Sequence, residues 1–198
     1  MRCKITTQAV LSTILVPAAL VLGACGSDDE EADSGAGNPS PAATKAEFER
    51  ALSGAPPELA AIYERGDAIL DGGVDAFEAQ LAELDGTPVV INKWASWCGP
   101  CRFEFPFFQS QAIEHGKRVA FLGVDSDDDR EAAETFLNEL PLPYPSFSDP
   151  GSEIAELFDA REFPSTAFYD SSGELAYLRR GGYASEEELA ADIERYAR

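Results

Sequence analysis

The chain has 198 residues, with 36 Asp and Glu against 15 Lys and Arg and a formal net charge of −21. That imbalance argues against binding nucleic acid or anionic lipid headgroups through a basic patch. Once an N-terminal leader is set aside, roughly 155 to 175 residues remain, enough for one domain with its own core and too few for two.

Residues 1–24 read as a secretory signal peptide. Arg2 and Lys4 open it, an apolar stretch runs over 9–22, and Gly23 and Ala24 precede Cys25. The stretch is short and carries Pro17, whereas a spanning helix needs about 20 apolar residues, so a cleaved leader is expected rather than a retained anchor. Leu22, Gly23, Ala24 and Cys25 resemble the lipobox of bacterial lipoproteins. That resemblance implies lipidation of Cys25 and attachment to a membrane; the alternative is an ordinary cleaved signal with a leftover cysteine. Residues 25–44 are small and polar with an acidic run at 28–31, and nothing large is available to bury, which predicts a disordered tether.

Over 45–87 the pattern is helical. Phe48 and Leu52 lie four apart, Pro56 and Pro57 interrupt, and Leu59, Ile62 and Tyr63 resume the pattern. After Gly72 and Gly73, Val74, Phe77, Leu81 and Leu84 fall on one helical face. These helices are expected to pack on the domain that follows, over 88–198. There the spacing predicts a strand over 89–94, a helix over 98–115, a strand over 119–125 and a helix over 130–140. The two strands are nearly continuous apolar runs, which suits parallel strands covered on both faces. A short helix over 153–158 leads to a strand over 165–169, a turn at 170–173 and a partner strand over 174–179. Ser185 and Glu188 form a capping-box pattern that opens a last helix carrying Leu189, Ile193 and Tyr196. The order is βαβα followed by ββα.

Of the four cysteines, Cys3 leaves with the leader, Cys25 would carry lipid, and Cys98 and Cys101 remain, so no structural disulfide framework is left. A zinc site would need further ligands, and His115 is the single histidine. The pair sits in Trp97, Cys98, Gly99, Pro100, Cys101, at a strand-to-helix junction. There one sulfur can attack a foreign disulfide while the other resolves the adduct. Cys98, at the helix N-terminus, is placed where unpaired N–H groups and the helix dipole stabilise a thiolate.

The run from Asn92 through Lys93, Trp94, Ala95 and Ser96 to Arg102, with Glu104, Phe105, Pro106 and the helix over 130–140, resembles the TlpA/ResA-type thioredoxin-like proteins. The similarity covers 88–198 well and 45–87 poorly. It implies an α/β thioredoxin-like fold: a central mixed sheet with helices on both faces, an extra helical insert and an N-terminal helical extension. It also implies a redox-active disulfide between Cys98, the nucleophile, and Cys101, the resolving thiol. Glu104 would move the resolving proton, in place of the aspartate that thioredoxin carries where this chain has Asn92. Trp97, Gly99 and Pro100 would flank the partner, Pro106 would kink the helix, and a cis Pro164 after Phe163 would face the cysteines. Phe163 is bulkier than the small or β-branched residue often found there.

The resemblance further implies a thiol-disulfide oxidoreductase on the extracytoplasmic face of a bacterial membrane, with no cofactor beyond its cysteine pair. Exported proteins or apocytochrome c would be its substrates and a membrane electron-transfer protein its redox partner. Gly99 and Pro100 lean towards a reductase; an oxidant of secreted proteins is the alternative, and a non-catalytic binding module with a closed disulfide is another. Asp125, Asp127 and Asp129 imitate a calcium loop, but Arg130 and Phe136 stand where glycine and glutamate are required, so a solvated loop is expected. His115 precedes Gly116 at an expected helix end, where capping or contact with the helix dipole is the expected role.

Overall fold

The computed structural model describes residues 44–198. The expected signal peptide, the lipidation site Cys25 and the tether lie outside the described residues, apart from Thr44 at the tether's end. The elements run α1 (Lys45–Leu52), α2 (Pro57–Tyr63), β1 (Ile69–Leu70), α3 (Gly73–Glu83), β2 (Val89–Trp94), α4 (Gly99–His115) and β3 (Ala120–Ser126). They continue α5 (Arg130–Glu139), β4 (Ser146–Asp149), α6 (Glu153–Glu156), β5 (Ser165–Tyr169), β6 (Leu175–Arg180) and α7 (Glu186–Tyr196).

The strands form one mixed sheet in the order β1-β4-β3-β2-β5-β6. β2 and β3 pair in parallel from Val89 with Ala120 to Trp94 with Asp125, and β4 and β1 extend the parallel part. β5 and β6 run antiparallel on the other side. β2 and β3 are buried along their whole length, as their nearly continuous apolar runs require when helices cover both faces, and Asn92, Lys93, Asp125 and Ser126 are buried with them. This is the thioredoxin-like arrangement that the family resemblance implies.

Two strands were not expected. Ile69 and Leu70 pair with Ser146 and Phe147, so the stretch before residue 88 contributes a sheet strand as well as helices. β4 reads Ser-Phe-Ser-Asp, with one large apolar residue, and its strand character comes from pairing with β3 and β1 rather than from its own pattern. The capping box at the last helix is also not formed. Ser185 is the N-cap but makes no side-chain cap bond, and the Glu188 carboxylate accepts from Arg179 Nη2 at 2.9 Å.

On one face of the sheet, Trp94 stacks on Phe136 of α5 with ring centroids 5.3 Å apart and meets Phe105 of α4 edge-on at 5.3 Å. Its indole N–H donates to Ser146 Oγ at 3.0 Å. Gly123 makes room for that bond: a Cβ there would lie 2.1 Å from Ser146 Oγ and 3.0 Å from the indole nitrogen. On the opposite face Phe77 of α3 packs edge-on against Phe147 of β4 at 5.4 Å. Buried aromatics of this size contribute roughly 1.5–3 kcal/mol each. They make the sheet a rigid base for the loops at its end.

Candidate active site

The chain leaves β2 at Trp94, turns through Ala95, Ser96 and Trp97, and enters α4 with Cys98 as its N-cap. Cys98 has an extended backbone, its sulfur accepts from the Cys101 N–H at 3.2 Å, and Pro100 sits in the first turn, where its missing N–H costs nothing. Cys98 and Cys101 are joined as a disulfide. Cys101, one turn further in, is fully buried, and Cys98 is nearly so. The α4 helix runs on through Pro106.

The turn before Cys98 is fastened from the loop after β3. The Asp128 carboxylate accepts from the Ser96 N–H and, at 2.8 Å, from Ser96 Oγ. The Trp97 indole donates to Asp127 O at 2.9 Å, yet the side chain remains 58% exposed. Its ring lies 4.8 Å from that of Phe163, and the Phe163–Pro164 peptide bond is cis. Gly99 is open to solvent, with nothing within 4 Å of a Cβ placed there.

Glu104 has no exposed surface. Asn92 Nδ2 donates to its Oε1 at 3.1 Å, and the Tyr183 N–H donates to its Oε2 at 3.0 Å. Burial pushes its pKa up to about 7, against the pull of those two donors and of Arg179. A point beside Gly182 lies 3.4 Å from Glu104 Oε2, 3.4 Å from Pro164 and 3.8 Å from Pro100. The structure therefore brings Glu104, Pro100 and Pro164 to one spot. Neither Asn92 nor Tyr183 could be named as a carboxylate partner from sequence, since residues 92, 104 and 183 meet only through the fold.

Asp127 and Asp129 lie exposed in the loop after β3, as expected, but Asp125 does not. Asp125 is a buried β3 residue, 3% exposed, and its Oδ1 has no hydrogen-bond partner. Burial, with the Asp128 carboxylate next in weight, raises its pKa to about 8. Asp129 caps α5 by accepting from the Glu131 and Ala132 N–H groups. No cluster of metal-binding side chains occurs among the described residues. His115 lies in the last turn of α4 and is buried, its Nδ1 2.6 Å from Arg118 Nη2. A groove of about 410 Å³ lined by Phe48, Leu52 and Leu142 contains none of the expected site residues.

With a helix-capping cysteine, a buried partner sulfur and a buried acid, the site has what stepwise disulfide exchange requires. Residues 70–178 match the AhpC/TSA family. The thiol-disulfide oxidoreductase ResA of Oceanobacillus iheyensis is 31% identical over 128 residues, covering 61% of this chain and 67% of that one. ResA of Halalkalibacterium halodurans is 25% identical over 108 residues, covering 54% of this chain and 61% of that one. Among solved structures, DsbF of Mycobacterium tuberculosis is similar with a TM-score of 0.53 and 30% identity, covering 57% of this chain and 82% of that one. A secreted M. tuberculosis disulfide oxidoreductase homologous to E. coli DsbE gives 0.52 and 25%, covering 58% and 85%. The chain thus belongs to the AhpC/TSA family, among its thioredoxin-like members of ResA type, the thiol-disulfide oxidoreductases.

Proposed function

We propose that this chain is an extracytoplasmic, membrane-anchored reductase of disulfides in exported proteins, apocytochrome c among them, working through Cys98 and Cys101. The observation that carries the reading is the seat of Cys98: its sulfur already accepts the Cys101 N–H at the mouth of α4, where a thiolate is stabilised. In the reduced pair, the Cys98 thiolate attacks a partner sulfur, the partner S–S bond breaks, and one partner thiolate leaves. Glu104 takes the Cys101 proton. The Cys101 thiolate then attacks Cys98 Sγ, forming the intramolecular disulfide and releasing the second partner thiolate. Two electrons pass to the partner, and a membrane dithiol carrier restores the pair.

In this reading Trp97, Gly99, Pro100, Phe163 and Pro164 receive the partner, whose extended segment lies along the Phe163 backbone. Support for the location comes from the secretory leader, from the lipobox-like Cys25 and from the secreted M. tuberculosis relative. No helix among the described residues is long and apolar enough to cross a membrane.

Redox titration against glutathione tests the direction. A potential near the −270 mV of thioredoxin supports the reductase, and one near −120 mV makes the chain an oxidant running the same steps in reverse. Cys98→Ser is expected to abolish insulin reduction, and Cys101→Ser to trap a covalent adduct. The opposite pattern would falsify the assignment of roles.

A further inference from the structure

Lys93 stands in β2 among Val89, Val90 and Ile91, and only 1% of it is exposed. It makes no ion pair with a carboxylate among the described residues. Asp149, Asp127 and Glu162 act on it at longer range, and burial pushes its pKa down. The acid that acts on it most strongly, Asp149, is already committed to Ser126 Oγ and to the Ile154 and Ala155 N–H groups. What the ammonium does touch is the segment ahead of Pro164. Its Nζ donates to Ala160 O at 2.9 Å and stands 3.8 Å from the centre of the Phe163 ring. Trp97 contacts the same ring, with the two ring centres 4.8 Å apart.

A buried, unpaired cation is a poor choice for stability, because an apolar side chain of the same length avoids its desolvation. The position therefore calls for another reason, and its contacts supply one. We infer that Lys93 is a positioning residue for partner recognition: it holds Phe163 and the 160–163 segment against Trp97, so that the docking edge beside Cys98 is fixed before a polypeptide arrives. The inference rests on the exchange reading above and deepens it. Lys93 touches no reacting sulfur, so it acts on binding of a polypeptide rather than on the sulfur chemistry.

In the full chain, Lys93→Met raises the KM for insulin, with dithiothreitol as electron donor, by about three- to tenfold, within the span of cation–aromatic contacts between exposed and desolvated sites. The rate with hydroxyethyl disulfide and the redox potential stay at wild-type values. The urea midpoint stays the same or rises, which separates positioning from structural support. In a Phe163→Leu background, Lys93→Met has no further effect on KM, because both changes remove the same contact.

An unchanged KM in an active Lys93→Met chain overturns the inference, as does a full additive effect in the Phe163→Leu background. A wild-type chain that leaves both insulin and hydroxyethyl disulfide untouched overturns the exchange reading itself, and with it the role of Lys93. Should Lys93→Met not fold, Phe163→Leu carries the test. The ring-current displacement of the Lys93 Hε resonances in the wild type is expected to vanish in that variant while KM rises, and undisplaced wild-type resonances overturn the contact.

Discussion

Glu104 carries an opposition that decides its chemistry. Two donors, Asn92 Nδ2 and the Tyr183 N–H, favour its charge, while complete burial opposes it and prevails, leaving the pKa at about 7. An acid titrating there can both accept and return a thiol proton near neutrality. Glu104→Gln is therefore expected to slow resolution of the mixed disulfide by about tenfold or more and to remove the inflection near pH 7 from its pH profile, read by rapid quenching. The same shift has a stability consequence. The folded value lies above the ordinary 4.5, so the folded state holds a proton that the unfolded state has released. That contribution is fully present below about pH 4.5 and is lost as pH rises to about 7. Urea unfolding of the oxidised protein should show less loss of stability over this window in Glu104→Gln than in the wild type, and parallel curves would refute the burial account.

Among elements, the joint between the loop after β3 and the turn before α4 sets where Cys98 sits. Asp128 holds both the Ser96 N–H and its hydroxyl, and the Asp127 carbonyl holds the Trp97 indole. Removing this partly buried acceptor deprives the two Ser96 donors and the Asp129 N–H of their partner, at about 1–3 kcal/mol for each donor left buried and unsatisfied. Asp128→Ala should lower the urea midpoint accordingly and broaden the positions open to Cys98, which is measured as altered alkylation kinetics of the reduced protein at pH 7. An unchanged midpoint and unchanged kinetics would mean that the joint is dispensable. α5 is docked by a different means, with Phe136 stacked on Trp94 and the Arg102 guanidinium 4.5 Å from the Phe136 ring. The insert thus closes over the same residues that lead into the cysteine turn.

For the whole molecule, the governing quantity is the net charge of −21. Fields of this sign speed the approach of cationic partners and slow anionic ones, and salt screens both beyond about 10 Å at 0.1 M. Mixed-disulfide formation by Cys101→Ser with a cationic disulfide peptide should slow several-fold, on the order of 3- to 10-fold, between 20 and 200 mM salt. With an anionic peptide of the same length it should accelerate. Equal salt dependence for the two peptides would show that the charge plays no part in choosing partners.

Sequence alone determined what depends on neighbours along the chain. The β2 and β3 runs, the helix after Cys98 and the cysteine pair with its flanking tryptophan and proline all follow from periodicity, capping and local spacing. The reading failed where a residue's state depends on distant ones. Ser-Phe-Ser-Asp became a strand through its neighbours in the sheet, Glu188 left Ser185 for Arg179, and Asp125 passed from an expected solvated loop to a buried site with a raised pKa. Only the tertiary structure brought Asn92, Glu104 and Tyr183 together, or set Lys93 beneath Phe163. The physical reason is that burial and cross-chain contact control both proton affinity and side-chain partners, and neither is a property of any local stretch of residues.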